Sequence, residues 1–265
     1  MSQTELISNL EKNYQSVPEV IESFKWLENY FFETNNLRGV FATAYLHITQ
    51  SIGAALEENS FQDNYWSRDY LICFANHYRK SILSYEIGKL NVVPKSWRLA
   101  FDLAQKNEGF IIQHLLLGIN AHINHDLALA LHDVKIDPER ADKYRDHTTI
   151  NIILEKATDG LKQNIAEKYA PILERLDHGL GTIDDEITAF SIPKAREHAW
   201  SMAIALTLSQ TEFEKRILQK SLDEQAAIIS HLILASPIQH PKVKETVSVL
   251  KWMNQKVSQF FNFFR

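Results

Sequence analysis

A run of residues without formal charge occupies the middle of this chain, from Gly109 to His125, and it is followed by Asp126. Six polar residues interrupt its otherwise apolar sequence, namely Gln113, His114, Asn120, His122, Asn124 and His125. Burying an amide or an imidazole without a hydrogen-bond partner costs about 1–3 kcal/mol. The segment therefore predicts a buried helix that either carries a structural polar network or lines a site.

Helices are predicted for nearly the whole chain. Glycine and proline are scarce, with 8 and 7 residues among 265, and apolar residues mostly recur at intervals of three and four. We expect a single all-α domain over residues 1–265, a compact bundle of about eight to ten helices around the buried central helix. The predicted helices cover about 18–34, 37–57, 63–90, a short segment from 94, 107–131, 137 to beyond 160, 193 onward, 212–234 and 241–265.

Composition excludes several classes of protein. The net charge of −5 gives no general attraction to nucleic acid or to an anionic membrane. Cys73 is the only cysteine, so an internal disulfide and a cysteine metal cluster are impossible. The N-terminus lacks the pattern of a signal peptide, and no apolar run is long enough to span a membrane. We therefore predict a cytoplasmic protein without a transmembrane segment.

Spacing on the central helix predicts a pair of chemically active side chains. His122 and Asp126 are four residues apart, so they share one face of a helix, with Gly118 one turn before them. A histidine and a carboxylate at this spacing act as a base with its orienting acid, or as two ligands of one metal ion. We predict both residues as catalytic, and leave open a purely structural network.

Further candidates lie on other predicted helices. Asp146 and His198 would complete a metal site with His122 and Asp126, and these ligands suit zinc, iron or manganese about equally. Asn120 and Asn124 on the central helix, together with Trp200 on the helix predicted from 193 onward, are the predicted substrate-binding residues.

Two other patterns allow additional hypotheses. The His125-Asp126 pair also matches the dyad of the metal-dependent HD phosphohydrolases. That hypothesis needs an upstream histidine and a downstream aspartate, for which His77 and Asp146 are candidates. The aromatic C-terminus, Phe260 to Phe264, predicts a terminal helix docked on the core or a contact for a partner, such as a second copy of the chain.

The central segment resembles the hallmark of a bacterial family of uncharacterised helical proteins, with the signature L-L-G-[MI]-N-A-H-I-N-x-D-L. Residues 116–127 match it, and the resemblance covers most of residues 20–205, with the C-terminal helices 212–265 following. It implies an all-helical fold and gives no activity. It also implies that the position of His125 is variable, which favours Asn120, His122, Asn124 and Asp126 over the phosphohydrolase dyad.

Two hypotheses of function follow from these patterns. In the first, the protein is an enzyme that acts on a small, largely apolar substrate through His122 and Asp126, either as a metal-free pair or with a divalent metal ion. In the second, it binds a hydrophobic ligand or serves as a scaffold without catalysis, and the polar central helix is structural. A solvent-reachable pocket touching His122 would favour a site.

Overall fold

Short polar side chains mark where several of the helices begin. Each accepts a hydrogen bond from the backbone N–H three residues later, which satisfies one of the free donors of the first turn. These caps are Ser2, Ser16, Asp63 and Thr211. Pro18 and Pro193 lie in first turns, as the sequence predicts, because the fixed φ of proline suits that position.

The computed structural model describes residues 2–175 and 191–235, with side chains for 2–169 and 191–235. The helices in these ranges are α1 (Gln3–Glu11), α2 (Val17–Glu33), α3 (Arg38–Glu57), α4 (Asn64–Glu86), α5 (Lys95–Gln105), α6 (Ile111–Asn120), α7 (Leu127–Asp133), α8 (Arg140–Arg175), α9 (Ile192–Leu208) and α10 (Glu212–Leu234). A π-helical turn, Ala121–Asp126, joins α6 to α7, so the three run on as one central helix. Counted in this way, the described ranges contain nine helices and no strand, which confirms the all-α prediction.

Two predicted helix starts differ from the structure, α4 ends at Glu86 and not near residue 90, and one helix was not predicted. The central helix begins at Ile111 and not near Asn107, because Asn107 and Gly109 have φ values of 53° and 82°. The predicted start at Asp137 is also wrong. Glu139 has a φ of 66°, which a right-handed helix cannot include, and α8 begins after it. Helix α1 was not predicted, although Ser2 and Glu5 form a capping box there.

The central helix is enclosed by its neighbours. It contacts α3, α4, α5, α9 and α10, and every residue of its first segment, Ile111–Asn120, is buried. The prediction of a buried central helix is therefore confirmed. The polar residues on it lie in the interior of the bundle, where each needs a partner or a ligand.

The structure tests the predictions on membrane spans and on the C-terminus only as far as the described residues reach. Within these ranges, none of the helices combines the length and apolar character needed to cross a bilayer. The predicted helix 241–265, with the aromatic residues Phe260 to Phe264 and their suggested role in self-association, lies outside the described residues. The single domain over 1–265 stays a prediction.

Candidate functional site

The π-helical turn places His122 and Asp126 side by side in the interior. Nδ1 of His122 lies 3.0 Å from Oδ2 of Asp126, and both side chains are almost completely buried. The neighbouring His125 also reaches this carboxylate, with 2.8 Å between its Nδ1 and Oδ1. The sequence predicted the first contact from helical spacing. It did not predict the π turn, a distortion that often occurs at functional sites.

Asp126 accepts three hydrogen bonds and is the centre of this polar cluster. Besides the two histidines, Nε1–H of Trp97 on α5 donates to Oδ2 over 2.8 Å. Burial alone would raise the pKa of the Asp126 carboxyl, but the hydrogen bonds from His122 and His125 outweigh it and lower the pKa. Asp126 is therefore ionised, and it fixes the proton of His122 on Nδ1.

The imidazole of His122 has one free acceptor. Burial lowers its pKa more than the hydrogen bond to Asp126 raises it, so the ring is neutral near pH 7. With the proton on Nδ1, the lone pair of Nε2 remains. Nε2 is buried and has no hydrogen-bond partner among the described residues. An unpaired buried acceptor is costly, which makes it a candidate contact for a ligand.

A cavity of about 110 Å³ lies beside His122. For comparison, an engineered apolar cavity of about 150 Å³ binds benzene or xenon. Side chains from α3, α4, the central helix, α8 and α9 form its walls. The apolar ones are Phe41, Ala44, Ile48, Ile52, Leu71, Phe74, Ile119, Ile123, Ile150, Leu154, Leu161 and Ile192. Several of them, including Phe74 and Ile123, are only half-buried. A pocket touching His122 is thus present, as the site hypothesis requires.

The two asparagines predicted to bind substrate face a different neighbour. Nδ2 of Asn120 donates to the carbonyl oxygen of Ala226 and to Oγ of Ser230 on α10, over 2.8 and 2.9 Å. Nδ2 of Asn124 donates to Oδ1 of Asn120 over 2.9 Å. Neither asparagine lines the cavity. Their amides join the central helix to α10.

The remaining predicted site residues lie apart from His122. Both carboxylate oxygens of Asp146 accept backbone N–H groups at the start of α4, from Gln62 and Asp63. Nε2 of His198 lies 2.9 Å from Oε1 of Gln225 on α10. Trp200 packs against the rings of Tyr144 and His147.

The structure does not bring the four predicted metal ligands together. Within the described part of the chain, one group of three histidine, cysteine or acidic ligand atoms lies within 4.8 Å, and it is formed by Cys73, His77 and Asp133. None of the predicted ligands belongs to it. In the His122–Asp126 pair, both carboxylate oxygens already accept hydrogen bonds. Nε2 of His122 is the atom of this pair that has no partner among the described residues. The partners that a phosphohydrolase dyad would need, His77 and Asp146, are likewise engaged elsewhere.

Sequence reasoning missed several residues around the cavity. Phe74 stacks on His122, and Phe41 fills the space next to Gly118. Neither Trp97 nor Arg196 was predicted from the sequence as a site residue. Trp97 donates to Asp126, and Arg196 lines the cavity. The aromatic residues at helical spacing in Tyr70-Leu71-Ile72-Cys73-Phe74 were the available signal for α4.

Comparison with known proteins identifies the family. Residues 17–236 match a family described as "Family of unknown function (DUF5995)". No curated protein and no solved structure gives a significant match. Because the match covers well over half of the chain, this protein belongs to the family of unknown function DUF5995.

Proposed function

We propose that this protein binds a small, largely apolar molecule in the cavity and that His122 contacts it through Nε2. The observation that carries the proposal is the unpaired, buried Nε2 on a residue of the cavity wall. Apolar pockets with a few polar groups are typical ligand sites. The cavity supplies hydrophobic surface, and His122 supplies one acceptor for a hydroxyl or amine of the ligand.

A binding experiment with 1-octanol tests this proposal. We expect calorimetry to detect octanol binding to the wild-type protein. Ala44→Leu should weaken it at least about tenfold, because the larger side chain fills cavity space. Ala54→Leu, an exposed position on the same helix, is the matched control and should bind as the wild type does. Absence of binding, or equal binding by Ala44→Leu, would contradict the proposal.

A substitution of His122 tests the proposed hydrogen bond between Nε2 and the hydroxyl of octanol. His122→Leu removes the acceptor and keeps an apolar wall, so octanol affinity should fall about fivefold, the equivalent of one neutral hydrogen bond. An unchanged affinity in a folded His122→Leu protein would show that Nε2 does not contact the hydroxyl.

Proton transfer is a second candidate function, favoured by the arrangement of Asp126 and His122. A carboxylate that fixes the proton on Nδ1 leaves Nε2, on a residue that lines the cavity, as the general base. Hydrolysis of p-nitrophenyl butyrate is a suitable probe reaction. The wild type should exceed both His122→Gln and Ala44→Leu, whereas equal rates in all three proteins would place any hydrolysis outside the cavity.

Other aspects of the function remain predictions from the sequence. They are a cytoplasmic location, the lack of nucleic-acid partners, self-association through the aromatic C-terminus, and a divalent metal ion at His122 and Asp126. Metal analysis of the protein purified without an affinity tag tests the last. Stoichiometric zinc, iron or manganese that is lost in His122→Ala would support it, and metal-free wild type would refute it.

A further inference from the structure

Arg196 brings a positive charge to the apolar cavity. It lies on α9, lines the cavity wall, and is only 4% exposed. It is the one lysine or arginine among the described lining residues. A buried guanidinium is costly unless it is both hydrogen-bonded and balanced by a negative charge.

The hydrogen bonds of Arg196 all go to neutral groups. Nε–H donates to Oδ1 of Asn151 over 2.7 Å. Nη2–H donates to the carbonyl oxygen of His147 over 2.7 Å, with Nδ1 of the same histidine 3.3 Å away. The hydroxyl of Tyr70 is a further neutral hydrogen-bond partner of the guanidinium.

His147 does not balance the charge, because it is a neutral acceptor. Its Nε2–H donates to the carbonyl oxygen of Arg196 over 3.2 Å, so Nδ1 carries the lone pair and accepts from the hydroxyl of Tyr70. Burial, and next the charge of Arg196, hold the pKa of His147 well below its ordinary value. The nearby Asp146 is bound to the backbone at the start of α4.

No acidic side chain of the described residues forms an ion pair with Arg196. The wall of the apolar cavity thus contains a buried cation that no described acidic side chain balances. An anionic group on the ligand would supply the missing charge and accept a hydrogen bond from the guanidinium. A single cation matches the single charge of a carboxylate better than the double charge of a phosphate monoester.

We propose that the cavity takes an apolar carboxylic acid, with its carboxylate on Arg196 and its hydrocarbon part along the apolar walls. This inference rests on the proposed function, since it names the class of molecule that the cavity would bind. The hydrogen-bond donor that His122 would accept lies elsewhere on the same ligand.

Calorimetry with two isosteric probes, octanoate and octanamide, tests the charge. We expect the wild type to bind octanoate at least about tenfold more tightly than octanamide, because a charge-assisted hydrogen bond is stronger than a neutral one. Arg196→Met removes the charge and keeps an apolar stem, so the preference should disappear. Arg196→Lys should keep part of it. Arg145→Met, an exposed position on α8, is the control and should retain the full preference.

The outcomes separate this inference from the proposed function. Equal affinity for octanoate and octanamide in the wild type overturns the inference, and needs no variant to fold. A preference for octanoate that survives in folded Arg196→Met also overturns it. If octanol binds and octanoate does not, the proposed function stands and the carboxylate is refuted. If none of the three probes binds, both fail.

Discussion

The imidazole of His122 lies flat against the phenyl ring of Phe74, with 3.5 Å between the ring centroids and 9° between the planes. Tyr45 and Phe41 meet the same imidazole edge-on, at centroid distances of 4.8 and 5.6 Å. Together with Asp126, these rings fix the orientation of His122. They also keep water from it, which is the main cause of its lowered pKa.

Removing the stacked ring should change the titration of His122. Phe74 is half-buried and forms part of the cavity wall, so Phe74→Ala would let water reach the imidazole. We expect the pKa of His122 to rise toward its ordinary value, because water would again solvate the charged ring. Its ring-proton resonance in an NMR titration measures this directly. Phe213→Ala, at an exposed site on α10, serves as the control. An unchanged titration in Phe74→Ala would refute the role of the ring.

Asp126 should be among the most sensitive positions for stability. Asp126→Asn removes the charge and replaces one acceptor oxygen with an amide NH2 group. Three N–H groups, those of Trp97, His122 and His125, now donate to the carboxylate, and at least one of them would then meet another donor. We expect the free energy of unfolding to fall by about 3–5 kcal/mol, because three hydrogen bonds to the charged carboxylate are weakened or lost.

Trp97→Phe provides the graded comparison for Asp126. It removes one of the three donors and keeps most of the ring, so a loss of about 1–2 kcal/mol is expected. Urea denaturation of both variants gives the values. Asp142→Asn, at an exposed site on α8, should change stability little. A loss in Asp126→Asn no larger than that in Trp97→Phe would contradict the central role of the carboxylate.

Gly118 is required because a neighbouring ring occupies the space of a side chain. A Cβ atom there would lie 2.4 Å from Cδ2 of Phe41, so Gly118→Ala must displace the ring next to His122. We expect it to lower the free energy of unfolding by about 1–3 kcal/mol, as other overpacked positions do.

Gly53 offers a matched control for this substitution. It lies within α3, where an added Cβ would meet Cγ1 of Val17 at 3.4 Å, an ordinary contact. Gly53→Ala should therefore stabilise the protein by about 0.5–1 kcal/mol through its better helix propensity. Thermal denaturation of both variants compares them. Similar effects of the two changes would show that the ring of Phe41 moves freely.

Local signals predicted most of the fold, whereas the site depended on contacts between distant residues. Pro18, Pro193 and the cap at Asp63 each predicted a helix start, because these residues act within one turn. The pair His122 and Asp126 was predictable for the same reason. Asn120 has an equally polar side chain on the same helix, but which neighbour it meets depends on packing, and it meets α10.

The cavity itself could not be read from the sequence. Arg196 faces it because α9 packs beside α8, and nothing near Arg196 in the chain indicates Asn151 or His147 as its partners. The π turn has no reliable sequence signal either, since it changes one hydrogen-bond register within an otherwise continuous helix.

Stability should fall as the pH is lowered from about 7.5 to about 5, because buried histidines take up protons on unfolding. Burial lowers the folded-state pKa of His122, His147 and His198, and that of His114 to about 4. Below the unfolded value of about 6.5 the unfolded chain binds more protons, so each such group contributes a slope of up to about 1.4 kcal/mol per pH unit. For His114 the loss continues down to its folded pKa of about 4.

His114→Gln isolates one part of this pH dependence. The Nε2–H of His114 donates to the carbonyl oxygen of Glu108 over 2.8 Å, and a glutamine amide can make the same kind of bond without titrating. The variant should be close to the wild type in stability near pH 7.5, and should lose stability less steeply below about pH 6.5. Urea denaturation across this range measures both slopes. If the two proteins lose stability in parallel, His114 is protonated equally in the folded and unfolded states, and burial does not keep it neutral.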